Sequence, residues 1–163
     1  MNIGRLLIGL MVLVLADCGG DATLQDAFEK QMKLNKVDGF DIIKLDERPD
    51  LGLVLFTSWT EAYPDNRNRP GVYVFYRQDG RWEMQPGIDC SGGGTARLGL
   101  GVRGTLYCAM LKPDWDFTKV MVGETEAGLF AFGEGQRVWY AVAPDGTAPV
   151  KGVNAEGREY ELN

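Results

Sequence analysis

LGLVLFTSW, at Leu51–Trp59, is the stretch that decides the fold class of this 163-residue chain. It is the most apolar run after residue 22, and it combines branched aliphatic with aromatic side chains. Such a run is typical of a central β-strand. The residues that follow, 60–70 (TEAYPDNRNRP), contain two prolines, two asparagines and charges of both signs, which indicates an exposed loop.

Residues 71–86 (GVYVFYRQDGRWEMQP) contain the clearest hairpin pattern of the chain. Valine and aromatic side chains alternate between residues 72 and 76, so that they occupy opposite faces of a strand. Asp79 and Gly80 supply the turn, because glycine adopts a positive φ at little cost. The sequence therefore predicts two antiparallel strands here.

Shorter strand patterns recur along the rest of the chain, with turn residues between them. The predicted strands lie at residues 40–45, 105–111, 117–122, 128–132 and 137–142, with two more between residues 150 and 162. Together these patterns predict a mainly β fold, a single-domain sandwich or partly closed barrel of about nine or ten short, mostly antiparallel strands.

One amphipathic helix is predicted at the N-terminal side of this domain, over residues 23–35. Thr23 and Asp26 have the spacing of a capping box, and an acidic side chain suits the positive end of a helix. The apolar residues recur at helical spacing and are expected to pack on the domain's own sheet: Leu24, Ala27, Phe28 and Met32.

The first residues of the chain have the pattern of a secretory signal. Arg5 provides a positive start, and residues 6–16 (LLIGLMVLVLA) form an uncharged apolar run. Signal peptides have an apolar core of about 7–15 residues, whereas a membrane-spanning helix needs about 20. We expect residues 1–17 to be a signal peptide and residues 23–163 to be a single β-rich domain.

Leu15, Ala16, Asp17 and Cys18 resemble the lipobox of bacterial lipoproteins, in which a leucine and two small residues precede a cysteine. In that family the thiol receives a diacylglyceryl group, and cleavage in front of the cysteine makes it the first residue. The resemblance implies that residues 18–22 are a lipid-attachment point with a short tether. Cys18 would then anchor an extracytoplasmic protein to the bacterial cell membrane, since two or more acyl chains hold stably. The alternative is ordinary cleavage after Ala16, which would release a soluble secreted or periplasmic protein.

A weaker resemblance concerns the C-terminal part of the chain. The Trp139-Tyr140 pair in a strand pattern, followed by two short strands near Gly157 and Glu159, is similar to small uncharacterised lipoproteins and secreted β proteins of Gram-positive bacteria. This resemblance implies no particular activity.

The chain contains three cysteines, an odd number for an exported protein. If Cys18 is acylated, Cys90 and Cys108 remain as a pair in a compartment where disulfides persist. We therefore predict a disulfide between them. The alternative is two buried thiols that do not pair.

The absence of histidine and the net charge of −6 limit the functions available to this chain. Without histidine there can be no Ser-His-Asp or Cys-His catalytic centre and no His-ligated zinc. An acidic domain without a basic run argues against a nucleic-acid partner, and we predict no cofactor and no metal site. The G-x-G-x-x-G at residues 99–104 is interpreted as a glycine-rich bend, because a strand rather than a helix follows it.

Exposed aromatic side chains are the best candidates for a recognition surface. Tyr63 and Trp115 lie in predicted loops, whereas most other aromatic residues fall in strand patterns and are expected in the core. These two residues are therefore predicted to contact a ligand. The favoured hypothesis is a membrane-anchored, non-enzymatic binding or interaction module with an unknown protein or glycan ligand.

The alternative hypothesis is a hydrolase that acts on cell-wall glycan or peptide with carboxylates alone. Its candidate side chains are two pairs, each with a spacing of two: Asp114 with Asp116, and Glu124 with Glu126. Two carboxylates on either side of a glycosidic bond are sufficient for its cleavage. We assign none of the four a catalytic role.

Overall fold

The structure, a computed structural model, describes residues 23–162, and β-strands dominate it. Its helix and strands, in chain order, are α1 (Leu24–Leu34), β1 (Gly39–Glu47), β2 (Leu51–Trp59), β3 (Pro70–Gln78), β4 (Arg81–Asp89), β5 (Ala96–Gly99), β6 (Thr105–Leu111), β7 (Lys119–Val122), β8 (Thr125–Glu126), β9 (Gly128–Phe132), β10 (Gln136–Ala143), β11 (Val150–Val153) and β12 (Glu159–Glu161). Single 3-10 turns occur at Pro64–Asn68 and Gly101–Arg103. The prediction of a mainly β fold with one N-terminal helix is confirmed.

The strands form three four-stranded antiparallel sheets. The first sheet has the order β1-β2-β3-β4, the second β5-β6-β10-β9, and the third β12-β11-β7-β8. The described residues thus contain twelve strands, two more than the upper end of the prediction. The additional ones are β5, inside the glycine-rich segment, and β8, which is only two residues long. The sequence patterns of β5 and β8 are weak, because each of these short strands depends on its pairing with a longer neighbouring strand.

The sheets are stacked as layers rather than closed into a barrel. A helix cluster of buried side chains joins α1 to one face of the first sheet. A middle cluster joins the other face of that sheet to the second sheet. An outer cluster joins the far face of the second sheet to the third sheet. The architecture is therefore a β-sandwich with a third sheet and a helix added on its two outer sides.

The layer order explains why β2 is buried along most of its length. Leu51, Leu53 and Leu55 point into the middle cluster, whereas Val54 and Phe56 point into the helix cluster. Because both faces of β2 are covered, no polar face is needed and the sequence shows a continuous apolar run rather than alternation.

Strands β6 and β10 of the second sheet follow the same rule. Alternate residues face the middle cluster, namely Leu106, Cys108, Val138 and Tyr140. The residues between them face the outer cluster, namely Tyr107, Ala109, Leu111, Trp139, Ala141 and Ala143. The third sheet, in contrast, has one buried face and one polar face that carries Lys119 and Lys151.

Helix α1 begins and packs as predicted. The Thr23 hydroxyl accepts a hydrogen bond from the Asp26 backbone N–H at 3.1 Å, and the Asp26 carboxylate accepts one from the Thr23 N–H at 3.3 Å. The four residues of the predicted apolar stripe are all buried against the first sheet: Leu24, Ala27, Phe28 and Met32. Each cap residue thus satisfies a backbone donor that the helix start leaves free.

Glycine is required at two of the turns. Asp79 and Gly80 have φ values of 48° and 80°, which give the tight turn predicted between β3 and β4. The 99–104 segment is a bend between β5 and β6, as interpreted from the sequence. A Cβ on Gly104, whose φ is 101°, would lie 2.5 Å from the Ala143 carbonyl oxygen, so only glycine fits there.

The predicted disulfide between Cys90 and Cys108 is present. Cys90 directly follows β4 of the first sheet, and Cys108 lies in β6 of the second. Both side chains are fully buried in the middle cluster. The bond therefore joins the two sheets whose inner faces form that cluster.

We expect the Cys90→Ala/Cys108→Ala double variant to unfold with a free energy about 3 kcal/mol below that of the wild type, because the open chain regains loop entropy when unfolded. Urea titration followed by tryptophan fluorescence measures the difference. A reducing agent should lower the stability of the wild type and leave the double variant unchanged. Alkylation of both cysteines in native, unreduced protein would contradict the disulfide.

Candidate functional site

Trp115 lies in the loop of residues 112–118, which connects β6 of the second sheet to β7 of the third. A turn closes in front of it, with the Trp115 backbone N–H donating to the Lys112 carbonyl at 3.0 Å. The indole is partly buried against the outer cluster, and its remaining surface is exposed. The loop therefore presents Trp115 at the edge of the outer cluster.

Arg137, at the start of β10, fixes this loop. Its guanidinium donates to the Phe117 carbonyl at 2.8 Å and also to the Trp115 carbonyl. Two hydrogen bonds from one planar cation hold both carbonyls in a defined geometry. Trp115 is thereby preorganised although it lies in a loop.

An acidic groove of about 340 Å³ lies on one side of Trp115. Its aromatic lining is a row in which the buried Phe117 ring lies 5.3 Å from the Trp115 ring and 5.5 Å from the Tyr160 ring. Tyr160 is 44% exposed. The groove thus offers two accessible aromatic rings on either side of a buried one.

Three exposed carboxylates line the same groove, from Asp114, Asp116 and Glu161. Asp114 and Asp116 flank Trp115 in the sequence, and Glu161 lies in β12 beside Tyr160. Ionised carboxylates only accept hydrogen bonds, so this groove suits a ligand that carries hydroxyl, amide or ammonium donors. It disfavours an anionic ligand.

Trp115 also lines an apolar groove of about 220 Å³. The two grooves share Trp115 and Leu162. The walls of the apolar groove are formed by the end of β6, by the glycine-rich segment and by the core: Ser91, Gly93, Gly94, Thr95, Ala109, Met110, Leu111, Lys112, Pro113 and Trp139. Lys112 places its ammonium 5.0 Å from the Trp115 ring centroid.

Trp139 contributes an unpaired donor to this region. Its side chain is fully buried, and its indole N–H has no hydrogen-bond partner among residues 23–162. Leaving a buried donor unpaired costs about 1–3 kcal/mol. The other buried polar atoms without a partner in this part of the chain are Thr60 Oγ1, Trp82 Nε1 and Gln136 Oε1.

The structure does not bring the four predicted carboxylates together. Asp114 and Asp116 line the acidic groove, as described above. Glu124 and Glu126 are exposed near the β7–β8 turn, and Glu126 forms an ion pair with Lys119 at 2.7 Å. Within residues 23–162, no cluster of three or more potential metal-binding side chains is found.

Tyr63 lies in the loop between β2 and β3 and is 67% exposed, as predicted. This loop is attached to the first sheet, because the Glu61 N–H donates to the Asp38 carboxylate at 2.6 Å and Arg67 lies 4.0 Å above the Trp59 ring. Tyr63 and Trp115 therefore belong to different layers and not to one surface.

A groove of about 410 Å³ lies beside that loop and contains the ion pair of Arg69 and Asp89 at 3.1 Å. Burial raises the pKa of Asp89, but hydrogen bonds from the Ser91 hydroxyl and N–H and the charge of Arg69 outweigh it, so that the pKa is lowered overall. The two charged groups of this groove are thus paired with each other.

Cys18, the predicted lipid-attachment residue, lies outside the described residues. Among those described, no helix is long and apolar enough to span a membrane.

Sequence reasoning missed Arg137, Phe117, Tyr160 and Glu161 as parts of the site. They come from β10, the 112–118 loop and β12, and only the pairing of the sheets brings them together. Nothing in the local sequence around Arg137 or Tyr160 indicates that these residues contribute to a binding site.

Replacing Arg137 by methionine is expected to loosen the Trp115 loop, because both carbonyls lose a charged donor. We expect a loss of about 1–3 kcal/mol in the free energy of unfolding and faster amide hydrogen exchange in residues 112–118. Arg81→Met, at an exposed position, is the matched control and should change neither. Unaltered exchange in Arg137→Met would show that the loop does not depend on this side chain.

No protein-family model, curated protein or solved structure matches this chain.

Proposed function

We propose that this protein is an extracytoplasmic bacterial lipoprotein, anchored through Cys18, that acts as a non-enzymatic binding module. The observation that carries the proposal is the pair of grooves around Trp115. A partly exposed indole, on a loop that Arg137 holds through hydrogen bonds, lines both an acidic groove and an apolar groove. Rigid aromatic surface with a few convergent polar groups is the usual composition of a ligand site.

The buried disulfide supports an oxidising compartment. Structural disulfides form and persist in the periplasm and outside the cell and are rare in the cytosol. The bond between Cys90 and Cys108 agrees with the export signal that the first residues resemble.

The order of the layers supports the proposal that the grooves remain accessible when Cys18 anchors the protein. Residues 18–22 would lead from the lipid to α1, which covers the outer face of the first sheet. The grooves lie at the edge of the outer cluster, between the second and third sheets. Helix α1 and the grooves therefore belong to different layers of the stack.

The geometry favours binding over hydrolysis by the predicted carboxylates. Glycoside cleavage requires an acid and a second carboxylate on either side of one bond, about 5–9.5 Å apart. Glu124 and Glu126 do not line the groove that contains Asp114 and Asp116. Glu126 is instead engaged by Lys119.

The anchor is tested by expressing the full chain and its Cys18→Ser variant in a bacterial host. We expect the wild type in the membrane fraction, with acyl chains on Cys18 in the mass spectrum of its N-terminal peptide. Cys18→Ser should lose the acyl chains. Soluble wild-type protein that begins at Asp17 would contradict the anchor.

The binding site is tested by sedimentation with purified peptidoglycan sacculi, which contain both glycan and peptide. We expect the full chain in mild detergent to co-sediment, and Trp115→Ala to lose at least about tenfold in affinity, as for a central aromatic anchor. Tyr63→Ala, an exposed aromatic of another layer, is the matched control and should bind like the wild type. Equal binding of Trp115→Ala and wild type would place recognition elsewhere.

A further inference from the structure

Strand β12 forms an exposed edge of the third sheet. Within residues 23–162, its one neighbour in the sheet order is β11, and its three residues, Glu159–Glu161, are all exposed. The edge strands of the other two sheets lie next to each other instead, since β1 lies beside β9 and β4 lies beside β5. An exposed edge strand is the place where an extended segment of another chain can add to a sheet.

The pairing of β12 with β11 directs part of its backbone outward. The Leu162 N–H donates to the Val150 carbonyl at 2.8 Å, which fixes where the hydrogen-bonded pairs of this ladder lie. Such pairs alternate with non-bonded pairs along an antiparallel ladder. Tyr160 therefore bonds to β11, whereas the N–H and C=O groups of Glu159 and Glu161 point away from the sheet and are oriented to pair with an added strand.

The side chains of β12 carry an alternating pattern along the same edge. Tyr160 places its ring 5.5 Å from the Phe117 ring of the acidic groove. Glu159 and Glu161 lie on the face of the sheet that carries Lys151 of β11, and Glu159 forms an ion pair with Lys151 at 2.7 Å. The charge on this face thus changes sign from β11 to β12, and a positively charged strand would continue that alternation.

We propose that an extended cationic peptide adds to β12 as a further antiparallel strand, an inference that rests on the proposed function in taking the acidic groove as a binding site. Basic residues would lie opposite Glu159 and Glu161, because opposite charges in directly paired positions stabilise a sheet. An apolar residue between them would lie opposite Tyr160. Asp114 and Asp116, which line the groove that includes this edge, add to the attraction for a cation.

A second copy of this chain is disfavoured as the occupant of the edge. Two antiparallel β12 strands centred on Tyr160 would place Glu159 of each copy opposite Glu161 of the other, and like charges directly opposite each other destabilise a sheet. Charged side chains on edge strands protect proteins from self-association in this way. The edge therefore selects against its own copy and against an anionic strand.

The test compares peptides that separate strand addition from attraction between charges. An acetylated and amidated TKVKT peptide has the expected pattern. Methylation of its two lysine backbone nitrogens keeps both charges but removes the N–H groups that would donate to the Glu159 and Glu161 carbonyls. We expect isothermal titration of the full chain in mild detergent to show at least about tenfold weaker binding of the methylated peptide. Equal affinities would overturn the inference.

Reversal of charge tests the second half of the inference. Glu161→Lys is expected to lower the affinity for TKVKT at least about tenfold, because it places a lysine opposite a lysine. Glu124→Lys, an exposed position near the β7–β8 turn of the same sheet, changes the net charge equally and should bind like the wild type. An equal loss in both variants would show that only the net charge matters, which contradicts addition to β12.

Amide hydrogen exchange provides a site-specific readout that needs no variant. Saturation of the full chain with TKVKT should slow the exchange of the Glu159 and Glu161 N–H groups, because both would become paired. Residues 133–135, in the turn between β9 and β10, should exchange as before. Unchanged exchange in β12 would overturn the inference.

The outcomes separate this inference from the proposed function. If sacculi bind through Trp115 but TKVKT binds no better than its methylated form, the wall is recognised without strand addition, and only this inference fails. If TKVKT slows exchange in β12 while Trp115→Ala binds sacculi as the wild type does, the proposed site for the wall fails and the addition of a cationic strand stands.

Discussion

The central strands of two of the three sheets are buried on both faces, and the rest of the structure depends on this constraint. The first sheet lies between α1 and the second sheet, and the second sheet lies between the first and the third. Strands in such positions gain stability from apolar side chains along their whole length. The continuous apolar runs of β2, β6 and β10 follow from this requirement, and so does the need for α1 and the third sheet as covers.

Two connections hold neighbouring layers together, one of them covalent and the other polar. The Cys90–Cys108 bond crosses the middle cluster, where it links the end of β4 to the centre of the second sheet. Arg137 crosses the edge of the outer cluster, where its guanidinium holds the backbone of the loop that leads into β7. The first connection lies deep in the core, whereas the second holds an exposed surface in a fixed shape.

The proposed binding site lies where the layered core reaches the surface. Trp139 and Leu162 belong to the outer cluster, and both also line the apolar groove beside Trp115. A site of this kind combines the rigidity of the core with the polar groups of loops and edge strands. The unpaired Trp139 donor, the clamped Trp115 loop and the three carboxylates are therefore features of one region rather than separate observations.

The sequence alone determined the secondary structure of the longest elements and the cysteine pairing. The capping box of α1, the run of β2, the Asp79-Gly80 hairpin and the even pair of Cys90 and Cys108 are local or compositional signals, and the structure confirms them. The sequence also predicted that Trp115 is exposed, whereas the structure has its indole partly buried against the outer cluster. It could not place Arg137, Tyr160 and Glu161 beside that residue, because their contacts span 20 residues or more along the chain. Only the pairing of β12 with β11 and of β7 with β11 brings Tyr160 and Glu161 to the groove that Trp115 lines, since sheet register is a property of the packed layers and not of any single strand.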